Sequence, residues 1–139
     1  MFRGLKRFIR TNRTTTQAVS AFADYPMHDK EVLRDAYFAQ IIKLKRAFEE
    51  LRKRDSQVTN IALSPYKEMF VVNIGSKGEY SLRPNYDLSL VYLSSPESGF
   101  FSYYFDPEEM AFVHTVDKHR LEEFLAREIL RVLKTNLPL

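Results

Sequence analysis

The sequence predicts an α+β fold, a two-layer sandwich in which an N-terminal and a C-terminal helix pack on one face of a mostly antiparallel sheet of about six strands. Three observations lead to this prediction. Apolar residues at helical spacing flank a central region, short alternating stretches fill that region, and turn signals separate the stretches. Short turns indicate that successive strands pair antiparallel. Since only two helices flank the sheet, they can cover one of its faces and leave the other open.

Length and composition narrow the class of protein. The chain has 139 residues, 45% hydrophobic and 14% aromatic, which is typical of one globular domain. It contains no cysteine, which excludes disulfides, thiolate zinc sites, directly ligated iron–sulfur clusters and cysteine nucleophiles. Since it also lacks an apolar run of about 18 residues, no membrane insertion is expected.

The first 23 residues predict an import leader. This stretch has no acidic residue and five basic ones: Arg3, Lys6, Arg7, Arg10 and Arg13. An amphipathic start that is rich in arginine and hydroxyl residues is typical of a mitochondrial-type transit peptide. We therefore divide the chain into a leader, residues 1–23, expected to be disordered or cleaved, and a domain, residues 24–139. A basic tail with no targeting role is the alternative.

The net charge of +3 depends on this leader. The whole chain has 21 basic and 18 acidic residues, so without the five leader charges 16 basic residues face 18 acidic ones. The predicted domain is therefore slightly acidic, and nucleic acid is not an expected partner.

The first element of the domain is a long helix from Asp29 to about Arg54. Its apolar residues recur at intervals of three and four: Leu33, Tyr37, Ile41, Leu44, Phe48 and Leu51. This spacing places them on one face, directed at a core. Pro26 and Asp29 supply the start signal, with Asp29 in the capping position.

Six strands and a second helix follow. The strands are predicted near Val58–Leu63, Glu68–Ile74, Gly78–Arg83, Leu88–Ser94, Phe100–Phe105 and Met110–His114. Gly75 and Gly78 mark a tight hairpin, and prolines at positions 65, 84 and 107 mark the other turns. The second helix is predicted from Asp117 to about Thr135, with another inward apolar face.

The sequence contains none of the catalytic motifs that we looked for. The three histidines, at positions 28, 114 and 119, show no hydrolase or metalloprotease spacing, and the glycines form no phosphate loop. We predict no catalytic residue, and a binding protein is favoured over an enzyme.

A metal site is a separate hypothesis. His28, Glu31 and Asp35 are spaced three and four apart, so on a helix they would share one face. An imidazole with carboxylates suits a divalent ion such as ferrous iron. The alternative, favoured by how common surface acids are, is that these acids complement the helix dipole.

Three segments resemble the frataxin family. Residues 93–99, LSSPESG, are similar to the Leu-Ser-Ser-Pro-x-Ser-Gly turn that follows the central strand of frataxins. Residues 74–80, IGSKGEY, are similar to the family's glycine-rich hairpin. His114 and residues 121–129, LEEFLAREI, look like the end of its last strand and the start of its final helix.

The resemblance implies a helix–sheet–helix sandwich and a role in iron–sulfur cluster assembly, in the mitochondrial matrix or a mitosome. The partners it implies are a cysteine desulfurase and the iron–sulfur scaffold protein. It also implies weak binding of ferrous iron by an acidic ridge, which adds Glu49 and Glu50 to the candidate metal residues, and the family is sometimes classed as a ferroxidase. The alternative is a structural or interaction subunit of an organellar assembly that keeps the fold without iron chemistry.

The open face of the sheet is the predicted partner surface. Aligned with the family, Leu88, Leu90, Tyr92 and Met110 fall on positions that face away from the helices, and Val91 and Leu93 point into the core. Soluble domains seldom expose such an apolar set without a use. The alternative is a register shifted by one residue, which would exchange the two faces.

Overall fold

The structure, a computed structural model, describes residues 24–139; the predicted leader lies outside the described residues. The helices are α1 (Lys30–Arg54) and α2 (Leu121–Leu133), and the strands are β1 (Val58–Leu63), β2 (Phe70–Ile74), β3 (Glu79–Asn85), β4 (Leu90–Ser95), β5 (Gly99–Asp106) and β6 (Ala111–His114). The six strands form one sheet in sequence order, with every neighbouring pair antiparallel. The predicted fold class is confirmed. Neither described helix is long and apolar enough to cross a bilayer.

The main core lies between the helices and one face of the sheet. All six apolar positions predicted for α1 are buried, and so are Val91 and Leu93 of β4, as predicted. Alternate residues of the other strands reach the same core, among them Val72 and Tyr103. Because side chains alternate across a strand, the intervening residues lie on the open face.

The turn between β4 and β5 is tied to α2 by a buried carboxylate. Glu128 is 2% exposed and accepts hydrogen bonds from the hydroxyls of Ser95 and Ser98. The Ser95 oxygen in turn accepts the backbone N–H groups of residues 97 and 98, at 3.1 and 2.9 Å. Ser95 and Ser98 thus supply hydrogen bonds to a buried carboxyl group, which would be costly to bury without them, and Ser95 also closes the turn.

The same turn packs against the hairpin between β2 and β3. Gly78 has a φ of 112°, and a Cβ built on it would lie 2.7 Å from the Cβ of Pro96. A side chain at position 78 would therefore meet both backbone strain and a steric clash.

Four strands begin one or two residues later than predicted, at Phe70, Glu79, Leu90 and Ala111 instead of Glu68, Gly78, Leu88 and Met110. Ser89 and Met110 have φ angles of 56° and 51°, which are incompatible with extended strand. In the β3–β4 turn the Asn85 side-chain oxygen accepts the N–H of Leu88 at 3.1 Å. The second helix also begins later than predicted, at Leu121, because residues 115–120 form a loop.

Candidate functional site

The open face of the sheet carries an aromatic patch. Its side chains come from β3 to β6: Arg83, Leu90, Tyr92, Phe100, Tyr104 and Val113. The strand register places Tyr92 opposite both Arg83 and Ser102, and Ser94 opposite Phe100. The patch therefore runs across the middle of the sheet on the side away from both helices.

Half of this patch is covered by the segment that precedes α1. Leu90, Tyr104 and Val113 form a second apolar cluster, and Tyr25 packs against it. The rings of Tyr25 and Tyr104 stack with centroids 5.6 Å apart, and the Tyr25 hydroxyl donates to the backbone oxygen of Leu88 at 2.7 Å. Burial raises the pKa of Tyr25. Leu90 is consequently only 8% exposed.

The other half of the patch is open. Phe100 is 59% exposed and packs against Tyr92 with ring centroids 5.1 Å apart. The Arg83 guanidinium lies 5.0 Å from the centre of the Tyr92 ring, and Asn85 donates to the Tyr92 hydroxyl at 3.1 Å. A cation over an aromatic face adds to the attraction between them. The result is an exposed aromatic pair held in place by two polar neighbours.

The predicted partner residues are placed in different environments. Tyr92 is half-buried on the open face, and Leu90 lies on that face but under Tyr25. Leu88 is 38% exposed and Met110 is 75% exposed, each in a turn at the same end of the sheet. Only Leu90 and Tyr92 therefore share a strand.

The predicted metal residues near the start of α1 do not converge. His28 precedes the helix and is directed at the sheet, where its Nε2 lies 2.8 Å from the backbone oxygen of Phe105. That nitrogen carries the proton, because a carbonyl oxygen can only accept. Burial lowers the pKa of His28. Glu31 and Asp35 are exposed on α1, so the common face required for a three-ligand site is absent.

The acids at the other end of α1 are paired with lysines. Glu49 binds Lys45 at 2.8 Å, and Glu50 binds Lys53 at 3.0 Å. The hydrogen bond from Lys45 lowers the pKa of Glu49. These exposed carboxylates keep free oxygen atoms, but their net charge is balanced locally.

Two sets of residues escaped the sequence reasoning. Tyr25 and Phe100 belong to the open-face patch, and the alternation of Phe100, Ser102 and Tyr104 along β5 was a signal for the second of them. The other set is His114, Asp117 and His119, whose ligand atoms lie within 4.8 Å of one another. Their spacing in the sequence, His-x-x-Asp-x-His, was the available signal.

Comparisons with known proteins agree on the fold. A family model described as a frataxin-like domain matches residues 29–135. A crystal structure of trimeric frataxin from the yeast Saccharomyces cerevisiae, with full-length N-terminus, has a TM-score of 0.60 and 18% identity over 93% of this chain and 99% of that one. A second yeast trimer, described as complexed with ferrous, has a TM-score of 0.58 and 15% identity over 94% and 96%. No curated protein matches.

Proposed function

This chain belongs to the frataxin family, and from that premise we propose that it is an accessory factor in mitochondrial iron–sulfur cluster assembly. In this role it binds the cysteine desulfurase–scaffold complex through the open face of its sheet. Family membership supports an iron-related function in general. The docking role is carried by one observation, the exposed pair of Tyr92 and Phe100 beside Arg83.

The chemistry of this pair suits a protein partner. Aromatic residues and arginine are enriched at the centres of interfaces, where removing one anchor commonly costs more than about 1 kcal/mol of binding free energy. Phe100 offers a large apolar surface, and Arg83 and Asn85 hold its neighbour Tyr92 in position. A preorganised patch loses less side-chain entropy when it is covered.

Leu88 and Met110 extend the proposed surface at one end. Both are exposed in turns at the same end of the sheet, and the backbone oxygen of Leu88 accepts the Tyr25 hydroxyl of the strap formed by residues 24–28, so we place both residues at the rim of the proposed surface. Leu90 has a different part in the proposal. It supports the patch from beneath Tyr25 and does not itself contact the partner.

Ferrous iron is proposed as a weakly held cargo of the exposed acids of α1. Glu31 and Asp35 near its start, and Glu49 and Glu50 near its end, offer carboxylate oxygens to solvent. Because these groups are exposed and partly paired with lysines, the proposed affinity is no tighter than micromolar, about −8 kcal/mol. The yeast relative described as complexed with ferrous is consistent with such binding in the family.

The proposed location is the mitochondrial matrix or a mitosome. The proposal rests on the arginine-rich, acid-free composition of residues 1–23 and on membership of the family.

The test of docking is a pair of substitutions in the full chain. Phe100→Ser should weaken binding to a reconstituted desulfurase–scaffold complex by about fivefold or more, because about 1 kcal/mol corresponds to that ratio. The matched control is Tyr66→Ser, since Tyr66 is an aromatic residue 96% exposed in the β1–β2 turn. Isothermal titration calorimetry measures both affinities. Equal affinities for the two variants and the unmodified chain would refute docking through this face.

The alternative of a permanent structural subunit makes a different prediction. A structural subunit would co-purify from its organelle in a stoichiometric particle that lacks the desulfurase. The accessory factor should instead be recovered with the desulfurase and scaffold at less than stoichiometric yield.

A further inference from the structure

The loop between β6 and α2 brings three metal-binding side chains to one point. Nδ1 of His114 lies 3.2 Å from Oδ1 of Asp117, and Nδ1 of His119 lies 2.5 Å from the same oxygen. Within residues 24–139, no other group of three or more such side chains has its ligand atoms so close together. The site is distinct from the acidic residues of α1.

The loop holds these side chains in place through its backbone. The N–H of His114 donates to the oxygen of His119 at 2.8 Å, and the N–H of Lys118 donates to the oxygen of His114 at 3.2 Å. Lys118 takes a φ of 66°, which turns the chain back on itself. The two imidazole rings stack 4.6 Å apart and 14° from parallel. The loop backbone therefore holds the two imidazole rings side by side next to the Asp117 carboxylate.

Nδ1 of His114 faces the carboxylate of Asp117. This nitrogen lies 3.4 and 3.3 Å from the backbone nitrogens of Val116 and Asp117. The Asp117 carboxylate oxygen is 3.2 Å away from it. Both atoms can donate an electron pair to one cation.

His119 is supported from the opposite side of its ring. Its Nε2 lies 2.6 Å from the hydroxyl of Tyr103, a fully buried residue of β5. A metal-ligating histidine usually binds a second group through its other nitrogen, which orients the ring. The histidine side chains are 15% and 16% exposed, whereas Asp117 is 65% exposed. The ligand atoms are thus held at the edge of the core with access from solvent at Asp117.

We propose that His114, Asp117 and His119 bind a divalent first-row transition-metal ion. Two imidazole nitrogens and one carboxylate oxygen suit zinc, cobalt and ferrous ions, and three protein ligands leave further positions for water. On binding, Nδ1 of His119 exchanges its hydrogen bond with Asp117 for the metal ion, and its Nε2–H donates to the Tyr103 oxygen. This gives the protein a metal site on the β6–α2 loop, in addition to the acids of α1.

The test uses Co²⁺ as the probe and the full chain as the protein. Titration should give visible absorption bands that saturate at one bound ion, and Zn²⁺ should displace it. Paramagnetic broadening in NMR spectra should centre on residues 113–120. Asp117→Asn keeps a side-chain oxygen that can accept the N–H of His119, so the loop should fold normally. It should nevertheless weaken Co²⁺ binding by about tenfold or more.

Asp106→Asn is the matched control. Asp106 is also a turn aspartate whose Oδ1 accepts backbone N–H groups, in the β5–β6 turn, and it is outside the proposed ligand set. Its substitution should leave the Co²⁺ affinity unchanged. Undiminished binding by Asp117→Asn, or broadening centred on Glu31 and Asp35, would overturn the proposal. Because the broadening is measured on the unmodified chain, its result does not depend on the folding of any variant.

Discussion

Leu90→Ala should destabilise the protein although Leu90 lies on the open face. Its side chain is 8% exposed because Tyr25 covers the cluster that it forms with Tyr104 and Val113. Leucine-to-alanine changes at buried sites cost about 2–5 kcal/mol. This cover is a single ring, which can collapse onto the smaller side chain, so we expect the lower half of that range, about 2–3 kcal/mol. The corresponding fall in Tm is roughly 10 °C for a domain of this size.

The matched control on the same face is Phe100→Ala. Phe100 is 59% exposed, and its loss should change the free energy of unfolding by less than about 0.5 kcal/mol. Tyr25→Ala should also destabilise, and the double variant with Leu90→Ala should lose less than the sum of the two, because both residues belong to one packed cluster.

The assay is urea denaturation of the four variants and the unmodified chain, followed by circular dichroism. A change in midpoint at constant m-value reports a change in stability. Equally small midpoint shifts for Leu90→Ala and Phe100→Ala would refute the prediction and show that the strap does not cover Leu90 in solution.

Three further predictions concern the rest of the chain. Gly78→Ala should cost about 1–3 kcal/mol of unfolding free energy, because the alanine would have a positive φ and would clash with Pro96. Gly99→Ala is the control: Gly99 has a φ of 98° and open space for a Cβ, so its substitution measures the cost of the positive φ without a clash. Burial lowers the folded-state pKa of His28, so its contribution to stability is present above its unfolded pKa of about 6.5 and is lost as pH falls. Denaturation curves of His28→Gln should therefore show a smaller fall in unfolding free energy below that pH than curves of the unmodified chain. Removal of residues 1–20 should leave Tm unchanged, and a loss of several degrees in calorimetry would make the leader part of the fold.

Local sequence patterns were sufficient for most of the fold. The inward positions of α1 and the core positions of β4 follow from apolar spacing, which depends only on neighbours a few residues apart. The strand starts were less predictable. Leu88 and Met110 are as apolar as strand residues, and it was the turns, with positive φ at Ser89 and Met110, that removed them from the strands.

The candidate sites depended more strongly on tertiary structure. The spacing of His28, Glu31 and Asp35 suggested one helical face, but His28 lies before the helix and binds Phe105, a residue 77 positions away. The site formed by His114, Asp117 and His119 is close in sequence, yet its geometry requires the turn at Lys118 and the support of Tyr103.

The sequence by itself therefore determined the two helices, the antiparallel sheet, the separation of its faces and the resemblance to the family, because each depends on periodicity or on a short motif. Only the tertiary structure decided that the open face is half covered. The cover comes from Tyr25, which bonds to Leu88 across 63 positions, and no local pattern encodes a contact over such a distance. The same limit applies to the hydrogen bond between Ser95 and Glu128, which are 33 positions apart. Only the folded chain places the hydroxyl beside the buried carboxyl group.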